Sequence, residues 1–228
     1  MHLYLIRHGQ SENNALEESL RVKDPGLTEA GLTQVDYLGK WFSVRPLDVL
    51  ITSPFRRALL TTVPIAKATG LTPIVRTAIH EVGGCVSGYP AIGYQGESGM
   101  TRMEIQKAFP GFEPEPDIDE RGWWKSKPYE SKEARILRAQ EVGQQIVAQY
   151  AETDLHVALV MHADFKHILL QHFLPDLPMD AEHFGALRNA GISTLKITNG
   201  SVILENFNCI QHMPAVIITP ASHSETRI

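Results

Sequence analysis

The hydrophobic positions of this chain follow two rhythms: short runs that are apolar throughout, and longer stretches in which apolar residues return every three or four positions. Leu3-Tyr4-Leu5-Ile6 and Leu155-His156-Val157-Ala158-Leu159-Val160-Met161 are of the first kind, and the second run is apolar on both faces, which predicts a central strand of a parallel sheet. Asp48 to Thr52 reads as a further strand, and Leu71 to Val75 as another. The helical rhythm begins after the cap residue Thr28, at Leu32, Val35, Leu38 and Phe42. It returns from Arg57 to Ala68, closed by Gly70, then at Ala139, Val142, Ile146 and Tyr150 within a long helix from Lys132 to Tyr150. Phe165, Ile168, Leu169, His172 and Phe173 mark a last helix. Thr194 to Thr198 and Val202 to Phe207, joined by Asn199-Gly200, predict a hairpin. The fold class expected is α/β: a three-layer α/β/α sandwich with a mostly parallel sheet and an antiparallel edge strand.

Between Glu81 and Ser131 both rhythms fail, and glycine, proline and aromatic residues take over. A stretch this long without a sheet of its own is read as an inserted cap over the strand ends, about residues 82–131 of a single domain spanning 1–228. It holds one helix signal, the capping box Thr101-x-x-Glu104 before Ile105 and Ala108, stopped by Pro110-Gly111. Trp123, Trp124, Tyr94 and Tyr129 are expected to pack the cap onto the domain instead of facing a ligand. Residues 215–228 read as a flexible tail.

Composition narrows the function classes. A chain of 228 residues with 43% hydrophobic content buries a full core, and a net charge of −5 argues against a nucleic-acid or anionic-membrane surface as partner. The first strand follows Met1 without a basic leader, and no apolar run approaches a membrane span, so a soluble cytoplasmic protein is expected. Cys85 and Cys209 have no CxxC spacing and are expected to be buried reduced thiols. With that net charge, any anionic partner must be met by a focused site, and oligomerisation is left open.

Three segments repeat one design. Arg7-His8-Gly9 follows the first strand, Ser53-Pro54-Phe55-Arg56-Arg57 the second, and His162-Ala163-Asp164 the central one. Ligands of open α/β sheets bind at the carboxyl ends of the strands, where helix N-termini converge, so all three can face one crevice. An arginine fork matches phosphate oxygens, and a neutral imidazole can attack phosphorus. No metal and no cofactor are expected. His162, His167 and His172 are five residues apart, which scatters them around a helix and makes the latter two plain helix-face residues.

The chain resembles the histidine phosphatase superfamily, phosphoglycerate-mutase-like branch. Arg7 to Asn14 is similar to that family's RHGxSxxN, Leu27-Thr28-Glu29-Ala30-Gly31 to its LTxxG, and Ser53 to Thr61 to its SPxxRAxxT. Weaker closing motifs fit Asn189, Ile192-Ser193 and His212-Met213-Pro214. The resemblance implies His8 as nucleophile, Glu81 as proton donor with Asp164 next in line, and His162, protonated, as second histidine. It implies a phosphate niche of Arg7, Asn14, Arg57, His162 and Ala163, the last standing where the family usually carries glycine. Gln10, Leu20 and Arg21 stand where substrate contacts are expected. The activity implied is that of a metal-independent, histidine acid phosphatase-type phosphomonoesterase, a hydrolase working on a phosphorylated small molecule through a phosphohistidine. The alternatives are a phosphoglycerate-type phosphomutase and a non-catalytic domain that binds a phospholigand. Leu20-Arg21 in place of the mutases' Thr-Gly, and the lack of an Arg-Arg pair between Glu81 and Ser131, argue against the mutase. Ser11 in place of arginine separates the chain from the phytase-like branch.

Overall fold

A computed structural model describes residues 1–177, 185–198 and 200–220. The first strand, β1 (His2–Arg7), leads through a short helix α1 (Glu12–Ala15) to α2 (Glu29–Phe42), then β2 (Val49–Thr52), α3 (Arg56–Thr69) and β3 (Ile74–Val75). The insertion holds a hairpin of β4 (Val86–Tyr89) and β5 (Gly93–Gly96), helix α4 (Arg102–Ala108) and strand β6 (Glu113–Pro114). The chain then runs through α5 (Lys132–Tyr150), β7 (His156–Met161), α6 (Ala163–Phe173) and the pair β8 (Ile192–Thr198) and β9 (Ser201–Cys209).

The main sheet has the order β6-β3-β2-β7-β1-β8-β9. Its first five strands run parallel, and β8 and β9 complete it antiparallel to β1 and to each other. The strand that is apolar on both faces, β7, is central as expected, because alternate residues serve two cores. Val157, Leu159 and Met161 join Leu3 and Leu5 against Val142 and Ile146 of α5 and Phe165 and Leu169 of α6. Ala158 and Val160 join Tyr4 and Ile6 against Leu38 and Phe42 of α2 and Ala58 and Ile65 of α3. These are the two interfaces of a three-layer α/β/α sandwich.

Several details depart from expectation. The strand foreseen over Leu71 to Val75 is only the two-residue β3, since Pro73 cannot donate to a ladder. Leu32 is exposed: the inward position of the first α2 turn belongs to Gly31, where a Cβ would lie 2.0 Å from the carbonyl oxygen of Gln10. His167 is buried instead of lying on a helix surface. The insertion has a sheet of its own, and β6 returns to the main sheet, pairing Glu113 with Ile74 and Pro114 with Val75. Cys85 is buried, but Cys209 is only half-buried. In the hairpin turn, Asn199 lies outside the described residues, and Gly200 has φ 77°. Residues 215–220 run back against α2, where Gln34 Nε2 donates to Ile217 O at 2.9 Å; residues 221–228 lie outside the described residues.

Candidate active site

At the carboxyl end of β1, the chain turns sharply enough to bring Gly9 against α2. A Cβ on Gly9 would meet Val35 Cγ1 at 2.7 Å and Gly31 O at 2.9 Å, so the glycines of two separate motifs serve one close approach. Thr61 of α3 fixes the same turn: its Oγ1 accepts from Gly9 N at 3.1 Å and donates to Arg57 O at 2.6 Å.

His8 sits in this turn, almost completely buried. Its Nδ1 lies 2.7 Å from Gly9 O, a carbonyl that can only accept, so Nδ1 carries the proton and Nε2 presents its lone pair. That lone pair accepts from Arg57 Nε at 3.1 Å. Burial, and then the guanidiniums of Arg57 and Arg7, hold the His8 imidazole well below its ordinary range, so it is neutral at pH 7. Arg7 is itself buried and donates through Nη1 to Leu187 O.

The second histidine, His162, closes β7, with its ring centroid 5.1 Å from that of His8. Its Nε2 lies 2.7 Å from Ser53 Oγ, while its Nδ1 is buried without a hydrogen-bond partner. Burial, and then Arg57 and His8, hold the pKa of His162 well down, against the expectation of a protonated ring. The sequence showed the motif but not that two guanidiniums and a buried ring would surround this side chain.

Glu81 lies at the N-terminus of α6, where its Oε1 accepts from Phe165 N at 3.1 Å and from Val82 N at 2.8 Å. Ala163 opens that helix and is buried. Asn14 faces its Oδ1 toward Ser11 N and Asn189 Nδ2, each 3.1 Å away, and Asn189 Nδ2 also donates to His8 O at 3.2 Å. Ser53, Thr61 and Asn189 received no role from sequence reasoning, although all three stand inside the quoted motifs. Asp24 was missed too: its Oδ1 accepts from Arg56 N at 2.9 Å, and burial, opposed by Arg57, pushes its carboxyl up to about 6. Arg56 is exposed whereas Arg57 turns inward, as expected.

A cavity of about 200 Å³ reaches Arg57 and Glu81, and Phe55, Arg21, Tyr94 and Tyr129 are among its walls. Of the three expected substrate contacts, only Arg21 lines it. Leu20 points outward at 62% exposure, and Gln10 Oε1 accepts from Thr28 Oγ1 at 2.8 Å. Trp123 and Trp124 are buried in the cap core as expected, but Tyr94 and Tyr129 are half-exposed and stack at 4.5 Å on the cavity wall. A larger cavity, about 490 Å³ between Trp41, Arg45 and Glu205, is lined by Ile192 and His212 of the closing motifs but by none of Arg7, His8, Arg57, Glu81 and His162.

The model of the histidine phosphatase superfamily (branch 1) matches residues 3–210. Phosphoserine phosphatase 1 of Hydrogenobacter thermophilus is 38% identical over 80 residues, 35% of this chain and 38% of that one. Putative phosphoserine phosphatase 2 of the same organism is 34% identical over 80 residues, so the chain spans under two fifths of the length of the curated relatives it matches. Among solved structures, a mutant phosphoserine phosphatase from Entamoeba histolytica in complex with phosphoserine superposes with a TM-score of 0.63 at 21% identity, covering 93% of this chain and 99% of that one. A mycobacterial glucosyl-3-phosphoglycerate phosphatase gives 0.60 at 22% identity, covering 91% and 98%. The match over nearly the whole chain, on a fold whose strand ends gather Arg7, His8, Arg57 and His162, makes this protein a member of the histidine phosphatase superfamily, branch 1.

Proposed function

We propose that this chain is a metal-independent phosphomonoesterase of the histidine acid phosphatase type, hydrolysing a small phosphorylated metabolite through a phosphohistidine on His8. The observation that carries this reading is the tautomer of His8: Gly9 O takes the Nδ1 proton, which leaves the Nε2 lone pair beside the guanidinium that would hold the phosphoryl oxygens. Charge in phosphoryl transfer spreads over three equatorial oxygens, so positioned cations and donors supply most of the catalysis. Arg7, Arg57, His162, Asn14 and the α6 N-terminus at Ala163 form that set.

In the first step, His8 Nε2 bonds to phosphorus as the bond to the ester oxygen breaks, and Glu81 in its acid form gives its proton to the departing alkoxide. In the second, water attacks phosphorus, Glu81 takes back a proton, and the nitrogen–phosphorus bond breaks to release inorganic phosphate. Arg21 on the cavity wall supports a leaving alcohol that bears a carboxylate. The phosphoserine phosphatases among the relatives agree with such a substrate, a phosphorylated hydroxy or amino acid.

Mixing the protein with labelled phosphoserine in the presence of EDTA and quenching in alkali tests the reading, because a phosphoramidate withstands base. Label should appear on His8, decay to inorganic phosphate within the turnover time, and be absent from His8→Ala. Label that outlives many turnovers and passes to an acceptor hydroxyl would replace the hydrolase with a mutase. Absence of any label or turnover across a metabolite panel would leave a binding domain.

A further inference from the structure

We infer that Arg138, a residue of α5 that touches no reacting group, positions Glu81, and that Glu130 at the end of the cap holds Arg138 to that task. The inference rests on the reading of Glu81 as the proton donor. One guanidinium braces the acid from both directions. Its Nη1 donates to Ala78 O at 2.9 Å and His80 O at 3.0 Å, fixing the backbone that immediately precedes Glu81. Its Cζ lies over the ring of Phe165, 4.0 Å from the centroid, and Phe165 N is one of the two amides that hold the Glu81 carboxylate. On its far edge, Nε and Nη2 bind the two carboxylate oxygens of Glu130 at 2.7 and 2.6 Å. Glu130 N in turn donates to Gly83 O at 3.3 Å, so residues 78–83 are gripped on both sides of the acid.

This arrangement requires arginine. Four N–H directions of a planar fork are used at once, two on carbonyls and two on a carboxylate, whereas a lysine ammonium is a point charge that cannot span them. Both partners are shielded, with side chains 12% and 7% exposed, so the pair holds its geometry against water. Its purpose follows from the chemistry: a proton donor works only within hydrogen-bond reach of the ester oxygen, and the loop carrying Glu81 has only a short 3-10 turn, Thr77–Ile79, to stiffen it. The grip also joins the acid to the last residues of the cap, so the segment that lines the leaving-group cavity and the group that protonates the leaving group are fixed to one another.

A brace that only stabilises the fold would lower activity equally for every substrate, whereas a brace that aims the acid matters only where the leaving group needs a proton. The test compares kcat/KM for phosphoserine and p-nitrophenyl phosphate, well below the melting temperature of each variant. Glu81→Gln, as reference, should lose activity far more on phosphoserine than on p-nitrophenyl phosphate. Arg138→Lys should reproduce that selectivity, losing at least about tenfold on phosphoserine and less than about threefold on p-nitrophenyl phosphate. Glu130→Gln, which keeps an acceptor for the guanidinium, should show the same selectivity in weaker form and serves should Arg138→Lys fail to fold. Equal losses on both substrates in these variants, beside a selective Glu81→Gln, would overturn the positioning role alone. An unselective Glu81→Gln would remove Glu81 as the acid, and this inference with it.

Discussion

His8 and Arg57 illustrate how one contact sets two properties of a residue. Arg57 Nε donates to the lone pair of His8 at 3.1 Å, so the guanidinium that, after burial, holds the imidazole neutral is also the one that grips phosphoryl oxygens in the proposed mechanism. Arg57→Lys retains the charge and loses the fork, and steady-state kinetics on phosphoserine should show kcat/KM falling at least tenfold, about 1.4 kcal/mol of transition-state stabilisation. Unchanged kinetics would place Arg57 outside the site. Arg7, His8, Arg57 and His162 were legible in the sequence because each sits in a local motif at a strand exit. The charge of His162 was not, because it depends on Arg57 and His8 arriving from other strands and on complete burial. Ser53 and Asn189 were illegible for a related reason: their partners, His162 and His8, lie more than a hundred residues away.

Among the elements, the cap was the least legible. Its conformation depends on glycines whose backbone must lie against aromatic rings, and no periodicity announces this. Gly84 has φ 81°, and a Cβ there would stand 2.3 Å from the Trp124 ring; Gly83, φ 88°, lies as close under Tyr129. α4 was legible because its capping box is a local signal, with Thr101 Oγ1 accepting from Glu104 N at 3.2 Å. The aromatic residues divide by burial. Trp123→Ala should cost about 3–5 kcal/mol of stability in denaturant titration. Tyr129→Ala should leave the melting temperature close to that of the wild type while raising KM for phenyl phosphate by about two- to tenfold, the value of one aromatic contact. A large stability loss with unchanged KM would make the Tyr94–Tyr129 stack a packing element.

For the whole molecule, buried histidines set the response to acid. His8, His80 and His162 are held well below the ordinary imidazole range, each first by burial, and His167 is held down to about 4 for the same first reason. Their folded pKa values lie below the unfolded value near 6.5, so the unfolded chain binds more protons, and stability rises with pH through this window. The stabilisation is complete above about pH 6.5 and is lost as pH falls toward 4. Asp24, raised to about 6, acts in the opposite sense between about pH 4 and 6, but is one group against the several histidines that burial holds down, His212 among them. Calorimetry should therefore give a melting temperature that falls steadily from pH 7 to pH 5; a flat profile would mean that these rings accept protons in place. Layer order and the central strand were readable from hydrophobic runs, since burial on both faces leaves a continuous apolar string. The number of partly buried ionisable groups was not, since it follows from how the layers close.

The cap does more than cover a site. Strand β6, contributed by the cap, occupies the edge that β3 would otherwise offer to solvent, and it ends in Pro114, which has no amide proton to extend a ladder. The insertion thereby terminates the sheet against growth by foreign strands. A lineage that shortened this loop to admit a larger substrate would bare Ile74 and Val75 and lose solubility along with selectivity. The β4–β5 hairpin and Tyr129 line the cavity without touching that edge, so the cavity wall and the sheet's terminus are separable parts of one insertion.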